Sequence, residues 1–482
     1  MAERARLTPP PVAAPAPVDE LTTGSVRVSE VAFGSRRLEA GTYLTEGYGI
    51  QSAILARAGG WEPLSSKARV WQPSRLKGIQ VDSSHGTSFL AATQVFDVRP
   101  IPRKWLALQR TREANDRFVA GGTILVTCSG TVGRATIAFD AHSQILISHD
   151  LLRVAPLEEG WRGWLYAFLR APRTRKMMRS QHYGHMIKHL EPEHLDALPM
   201  PLVDEPIRRR CDEMFDRIVA LRNEAHQLIL NAEDRYASAV GPLPDVQSGP
   251  GFSVSSRSIT GQRRRLDATY SAPTVEALRR HLAAAGQGTT SLRGAGYQAW
   301  LPSRFQRVPA KEGVELVSSS VLFEINSDPG GLIADRGFGD PYGGRVQPGW
   351  LLIARSGQNY GLVGQMALAT EAHRNKVISD HVIRLAPGED PTLRVGYVMV
   401  ALTHPTLGRP LMKALPTGSS IPSIDYEDVL DLDIVRLQEE TEGMLADMVE
   451  RACGLRAEAD AIENALGELA DAVIVGEVAA EG

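Results

Sequence analysis

The sequence predicts an α+β fold built from two similar mixed α/β units, each followed by one long helix, in an internally repeated chain. Three observations predict it. First, two stretches space apolar or small residues alternately four and three apart, the seam of a coiled-coil helix. One seam runs Ile207, Cys211, Met214, Ile218, Leu221, Ala225, Leu228 and Ala232; the other runs Leu445, Met448, Ala452, Leu455, Ala459, Ile462, Leu466, Leu469 and Val473. Second, a series of marks outside these seams recurs in an unchanged order. Third, the β-branched runs between them are short and glycine-punctuated, too short for a doubly wound sheet.

The repeated marks extend over most of the chain. Arg37-Leu38-Glu39-Ala40 with Thr42-Tyr43 matches Arg265-Leu266-Asp267-Ala268-Thr269-Tyr270. Trp71-Gln72-Pro73-Ser74-Arg75 matches Trp300-Leu301-Pro302-Ser303-Arg304. The run from Gly122 to Gly130 matches that from Gly349 to Gly357. Ile147-Ser148-His149-Asp150, with Arg153 and Pro156, matches Ile378-Ser379-Asp380-His381, with Arg384 and Pro387. Gly184 and Ile187 match Gly418 and Ile421, just ahead of each long helix.

Taken in order, residues 1–24 are Pro/Ala-rich with no apolar signal core and read as a disordered tail. Residues 25–185 form the first unit, with a short amphipathic helix over Tyr48–Ala58 and a strand opened by Arg69-Val70-Trp71 and stopped by Pro73. Phe89–Val98 reads as extended, and the charged Lys104–Ala120 as a helix ended by Gly121-Gly122. Thr123–Thr127 is a short buried strand, and a glycine-containing turn leads into the strand Ala135–Ala138. Gln144–Ser148 and Leu151–Val154 read as one strand broken at His149-Asp150. Trp161–Arg170 is a helix, followed by the basic stretch Pro172–Ser180. Residues 186–240 are the first helical region and 241–252, with GPLPDVQSGPG, a linker. Residues 253–417 repeat the unit, 418–475 repeat the helical region, and 476–482 are a frayed end. Each seam helix is roughly 50 Å long at 1.5 Å per residue.

Composition narrows the function. A chain of 482 residues suffices for two or three domains with full cores. Its three cysteines, Cys128, Cys211 and Cys453, lack metal-type spacing, which fits packed thiols in a reducing, cytoplasmic setting. No run is long and apolar enough to span a membrane. Charge is unevenly placed: residues 421–482 hold 17 Asp and Glu against three Arg, so the rest of this chain of net charge −3 carries +11. An acidic helical end and a basic body are expected to be different surfaces with different partners.

Catalytic motifs are absent. There is no GxxxxGK[ST] loop, no HExxH and no zinc-deaminase pattern. Asp340-Pro341-Tyr342 faintly resembles an amino-methyltransferase motif but lacks its second proline and has no counterpart in the first half. Cys128, His149 and Asp150 can be drawn as a thiol triad. Position 128 becomes Arg355 in the repeat, so that chemistry is not duplicated and a packed strand-end thiol is expected. What is duplicated is a set of polar, basic and glycine-bearing loops. In the first unit they carry Ser74, Arg75 and Lys77, then Ser129, Thr131 and Arg134, then His149. In the second they carry Ser303, Arg304 and Arg307, then Arg355, Gln358, Asn359 and Tyr360, then His381. Arg pairs bidentately with guanine or phosphate, and Asn or Gln with adenine. Two diverged basic units set apart by matched rods suit a double-stranded polymer read at two places.

This pattern resembles the specificity (S) subunits of type I restriction-modification systems over nearly the whole chain after the tail. The marks are Arg37–Tyr43 and Arg265–Tyr270, Gly122–Gly133 and Gly349–Gly361, Ile147–Asp150, and the Gly184–Leu198 approach to a long helix. The resemblance implies two target-recognition domains, each reading half of a bipartite DNA site, separated by two long helices packed as an antiparallel coiled coil with pseudo-two-fold symmetry. It implies two docked methyltransferase subunits, S-adenosylmethionine in those partners rather than in this chain, a motor-nuclease subunit for cleavage, and no catalysis by the chain itself. A DNA-binding adaptor or protein scaffold of a defence complex without methylation shares the same sequence features. Because recognition loops in the family vary, the contacts named above rest on side-chain chemistry alone.

Overall fold

The structure is a computed structural model that describes residues 23–33, 39–57, 60–75, 78–107, 114–181, 189–243, 251–260, 265–328, 330–335, 342–358 and 361–477. It is mixed helix and sheet. The first half holds an antiparallel four-stranded sheet of β1 (Ala68–Trp71), β2 (Ile124–Thr127), β3 (Ala135–Ile137) and β4 (Leu151–Pro156), in the order β1-β4-β2-β3. The ILVT run of β2 is buried at every position because it is an inner strand covered on both faces. Gly130 and Gly133, at φ 68° and 78°, make the tight turn from β2 to β3, a conformation a side chain disfavours. Helices α1 (Arg162–Arg170) and α2 (Pro172–Gln181) follow, then the long α3 (Glu205–Val240). Asp204 caps α3 by accepting the Ile207 N–H at 3.1 Å, and Gly241 at φ 85° ends it.

The second half presents β5 (Tyr297–Trp300), β6 (Leu351–Ala354), β7 (Met366–Leu368) and β8 (Val382–Pro387) in the order β5-β8-β6-β7. Then come α4 (Val395–Thr403), α5 (Arg409–Ala414) and the long α6 (Glu439–Val475), which Gly476 ends at φ 82°. The two long helices lie side by side and antiparallel. Arg217 meets Glu458 at 2.7 Å, Arg222 meets Glu463 at 2.9 Å, and Arg451 meets Glu224 at 2.5 Å. Leu221 of α3 packs in one core with Ala459 and Leu466 of α6, while Ala232 and Tyr236 pack in another with Leu445 and Val449. Each long helix therefore serves both halves, and its buried stripe is wider than the seam read from sequence: Phe215, Arg222, Ile229 and Glu233 are buried too.

Several expectations change. The described part of Lys104–Ala120 is not helical: Lys104–Leu106 is a strand pairing with Gln80–Val81 and Thr87–Leu90, Asn115–Arg117 is a 3-10 turn, and 108–113 lie outside the described residues. Its charge lacked the apolar stripe that fixes a helix on a core. Of Phe89–Val98, only Phe89 and Leu90 are strand, and Gln94–Phe96 is a 3-10 turn. Leu146–Ile147 and Leu151–Pro156 are two strands in different sheets, so His149-Asp150 is a corner between sheets. The two halves are also not held apart. Val98 N–H donates to the Phe323 carbonyl at 2.8 Å, and Ile325 N–H to the Phe96 carbonyl at 2.6 Å. Nor is the acidic end a surface of its own. Asp460 and Glu463 meet Arg222, Asp471 meets Arg173, and Asp447 and Glu450 meet Arg394. Among the described residues, no helix is long and apolar enough to cross a membrane.

Candidate functional site

Strand register gathers the polar loops. Trp71 pairs with Arg153 and Thr127 with Leu151, so the ends of β1 and β2 and the start of β4 share one edge of the sheet. Ser74 and Arg75 follow β1, Ser129 and Thr131 follow β2, and His149 precedes β4. In the second sheet Trp300 pairs with Arg384 and Ala354 with Val382, which brings Ser303 and Arg304, Arg355 and Gln358, and His381 to the equivalent edge. Backbone bonds tie the corners alike: Cys128 N–H donates to the Asp150 carbonyl, and Arg355 N–H to the His381 carbonyl, both at 3.1 Å.

In the first corner Ser74, Arg75 and Thr131 are exposed, and Ser129 and His149 are half-buried. Ser129 Oγ donates to Asp150 Oδ1 at 3.1 Å, and Gln72 Nε2 donates to the His149 carbonyl at 2.8 Å. Burial lowers the His149 pKa; nearby Asp150 opposes this, while Arg117, Arg75 and Arg153 add to it. His149 is thus a neutral imidazole at pH 7 and offers one donor and one acceptor. In the second corner Ser303, Arg304, Arg307 and Gln358 are exposed. Arg307 Nη2 reaches Asp380 Oδ1 at 2.7 Å and Ser379 Oγ at 3.2 Å, and Gln358 Nε2 donates to the Ser420 carbonyl at 3.3 Å. Both corners therefore present guanidinium, hydroxyl and imidazole groups on loops anchored by strand ends, the kind of set that reads base edges and phosphates.

Arg134 does not join its corner. It is buried over the Phe96 ring, 4.0 Å from its centroid, and its guanidinium pairs with Glu324 of the second half. Lys77, Asn359 and Tyr360 lie outside the described residues, as do Gly184, Ile187 and Asp340-Pro341. The thiol triad does not form: Cys128 Sγ is 3.8 Å from the backbone carbonyl of His149, and burial together with Asp150 pushes its pKa up to about 12. A thiol so protonated is a packing group.

The corners are held by arginines that the sequence marks only as members of the repeat. Arg153 is buried and donates Nη1 to the Ser148 carbonyl at 3.0 Å and Nη2 to the Ile147 carbonyl at 3.1 Å. Arg384 repeats this, to Ser379 at 2.8 Å and Ile378 at 2.6 Å. The signal was present, since both arginines follow their Ser by five positions. Arg117, fully buried in the first corner, was hidden in the stretch read as helix.

The chain is similar to type I restriction-modification S subunits. With the S subunit from M. genitalium it shares 13% identity over 87% of this chain and 96% of that one, at a TM-score of 0.36. With the HsdS subunit from Thermoanaerobacter tengcongensis it shares 14% identity over 87% and 98%, at a TM-score of 0.27. A third solved chain, from work on complex assembly and conformational transition of the type I R-M system, shares 15% identity over 86% and 98%, at a TM-score of 0.26. No protein-family model and no curated protein sequence matches the chain.

Proposed function

We propose that this chain is the DNA-sequence-reading subunit of a type I restriction-modification complex. The two halves are duplicated target-recognition domains, each placing one loop corner on half of a bipartite duplex site. The antiparallel helix pair is a coiled-coil spacer that sets the gap between half-sites and docks two methyltransferase subunits. Those partners carry S-adenosylmethionine and methylate a flipped adenine, a motor-nuclease subunit joins for cleavage, and the chain itself catalyses nothing. One observation carries this reading: the same polar corner stands at the same edge of two sheets of equivalent strand order. Phosphate contacts would position each half and base-edge contacts would specify it.

The experiment is a base-resolution methylation map of the host with and without this gene, then with Arg75→Ala and Arg304→Ala. A two-part adenine-methylated motif should vanish with the gene. Each variant should relax one half of the motif only, by about tenfold where a bidentate pairing with a base is removed. Identical maps with and without the gene would sink the proposal.

A further inference from the structure

The contact between the two halves is internally symmetric in backbone and asymmetric in charge. Asp97 and Glu324 form an antiparallel bridge, flanked by the reciprocal bonds of Val98 and Ile325. The helix each loop then meets is also equivalent. A Cβ on Gly133 would lie 3.2 Å from Met178 Cβ on α2, and one on Gly364 would lie 3.4 Å from Met412 Cβ on α5. Counting from those methionines, Arg409 stands where Arg175 stands, and Lys413 where Arg179 stands.

On the α2 side the arginines facing the incoming loop meet carboxylates. Arg134 pairs with Glu324, and Arg175 meets Asp328 at 2.6 Å. On the α5 side the incoming loop brings Arg99 and Arg103 beside Asp97, the bridge counterpart of Glu324. Arg99 donates to the Thr403 carbonyl at 3.3 Å and is balanced by Glu233 of α3. The carboxyl nearest Arg103, Asp97, is 3.9 Å away, and burial raises its pKa to about 7, so it is only partly ionised at neutral pH. Arg409 has no carboxylate partner among the described residues, and Lys413 Nζ donates only to the Gly361 carbonyl, at 3.0 Å. Burial, then Arg409 and Arg103, pull Lys413 down to about 7; burial, then Arg99 and Arg103, lower Arg409. Arg99 and Arg103 keep about a third of their side chains exposed, at 29% and 33%, so an anion can reach them. Arg103, Arg409 and Lys413, beside the balanced Arg99, are left short of negative charge, which costs stability unless a ligand supplies it.

We propose that Arg99, Arg103, Arg409 and Lys413 form a phosphate-binding site on the seam between the two halves, and that it takes a backbone phosphate of the duplex between the half-sites. The choice of duplex as the phosphate source rests on the DNA-reading function proposed above; the site itself does not. Lys413 touches Gly361, within the loop region of the second corner, so a duplex lying on that corner passes beside the cluster.

The test uses the full chain and the double variant Arg409→Gln/Lys413→Gln, with Arg217→Gln on the exposed helix pair as a control. Thermal unfolding is followed with inorganic pyrophosphate and with a random-sequence duplex. Without ligand the double variant should melt no lower than wild type, since it loses repulsion. Pyrophosphate should raise the Tm of wild type and of Arg217→Gln but not of the double variant, and the duplex should compete for the site. The salt dependence of duplex binding should also weaken in the double variant, its log–log slope falling by about one for each phosphate the site no longer neutralises. If pyrophosphate protects wild type and the duplex does not compete, the site stands with free phosphate as its ligand, and the DNA reading is what fails. If pyrophosphate shifts wild type and double variant equally or not at all, the site is refuted, whatever the chain does with DNA.

Discussion

Arg153 and Arg384 show how one side chain fixes a loop. Each guanidinium is buried and satisfies carbonyls on both sides of the sheet-to-sheet corner, those of Ile147, Ser148 and Leu151 for Arg153 and of Ile378, Ser379 and Val382 for Arg384. Arg153→Met keeps the bulk and orphans those carbonyls; it should cost about 2–4 kcal/mol, read as a lower urea midpoint at unchanged m. Arg153→Lys should recover only part, because an ammonium lacks the planar fork. A wild-type midpoint in Arg153→Met would show that water or a backbone shift takes over the role.

His142, equally buried, carries a pH signature. Its Nδ1 accepts the Phe139 N–H at 3.2 Å and its Nε2 meets the Val95 carbonyl at 3.0 Å, while burial drives its pKa down to about 4. A folded pKa below the unfolded 6.5 means the unfolded chain takes up the proton first. Its stabilisation is complete above pH ~6.5 and is lost as pH falls toward 4, by about 3 kcal/mol at most. His404, also drawn down to about 4 by burial, runs the same way; Asp97, raised to about 7, runs the opposite way. The difference between wild type and His142→Gln therefore isolates the residue. Unfolding free energies at pH 7.5 and pH 5 should diverge less in the variant, and parallel curves would show that His142 does not titrate in this window.

At the scale of the element, the two long helices hold their neighbours through glycine. A Cβ on Gly163 of α1 would lie 2.3 Å from the Cys211 carbonyl carbon of α3, and one on Gly396 of α4 would lie 2.4 Å from the Ala446 carbonyl oxygen of α6. Gly396 N–H also donates to Glu450 Oε1 at 3.1 Å, and Gly163 N–H to Asp212 Oδ1. Gly→Ala inside an exposed helix stabilises by about 0.5–1 kcal/mol. Here the sign should reverse, with Gly396→Ala losing about 1–3 kcal/mol in urea unfolding through overpacking. These glycines mark where sequence was readable and where it was not. The seams of α3 and α6 were legible because heptad spacing is local and survives burial on one side. Gly163 and Gly396 give no signal of their own; their need for a missing Cβ arises from a helix far along the chain. The same holds for Arg134, which the sequence places in a polar turn and whose partner Glu324 is 190 residues away. The corners were legible because Trp71, Ser129 and His149 and their counterparts repeat in order, while Lys104–Leu106 owed its strand to neighbours no window contains.

For the whole molecule, the open question in the proposed mechanism is what measures the distance between the two corners. Two structures compete for the role: the antiparallel helices, shared by both cores, and the direct bridge of Asp97 with Glu324. One heptad inserted in α3 and one in α6, near Arg222 and Glu463 where the two cores meet, keeps the apolar phase and moves the halves apart by about 10 Å. That displacement exceeds the reach of the Phe96–Ile325 and Val98–Phe323 bonds, so the two possible rulers can no longer both be satisfied. If the helices rule, the methylated motif should keep both half-sites and gain about three base pairs of gap, since duplex rise is about 3.4 Å per pair. The bridge, with Arg134–Glu324 and Arg175–Asp328, would then break, lowering the melting temperature without changing the bases read. If the bridge rules, the gap should stay as it was and the inserted turns should loop out, visible as new protease sites near the insertions. Breaking the bridge alone, with Glu324→Gln and Asp328→Asn in an otherwise native chain, completes the logic. A helix ruler predicts an unchanged gap with looser tolerance for it, and a bridge ruler predicts that gap selectivity is lost.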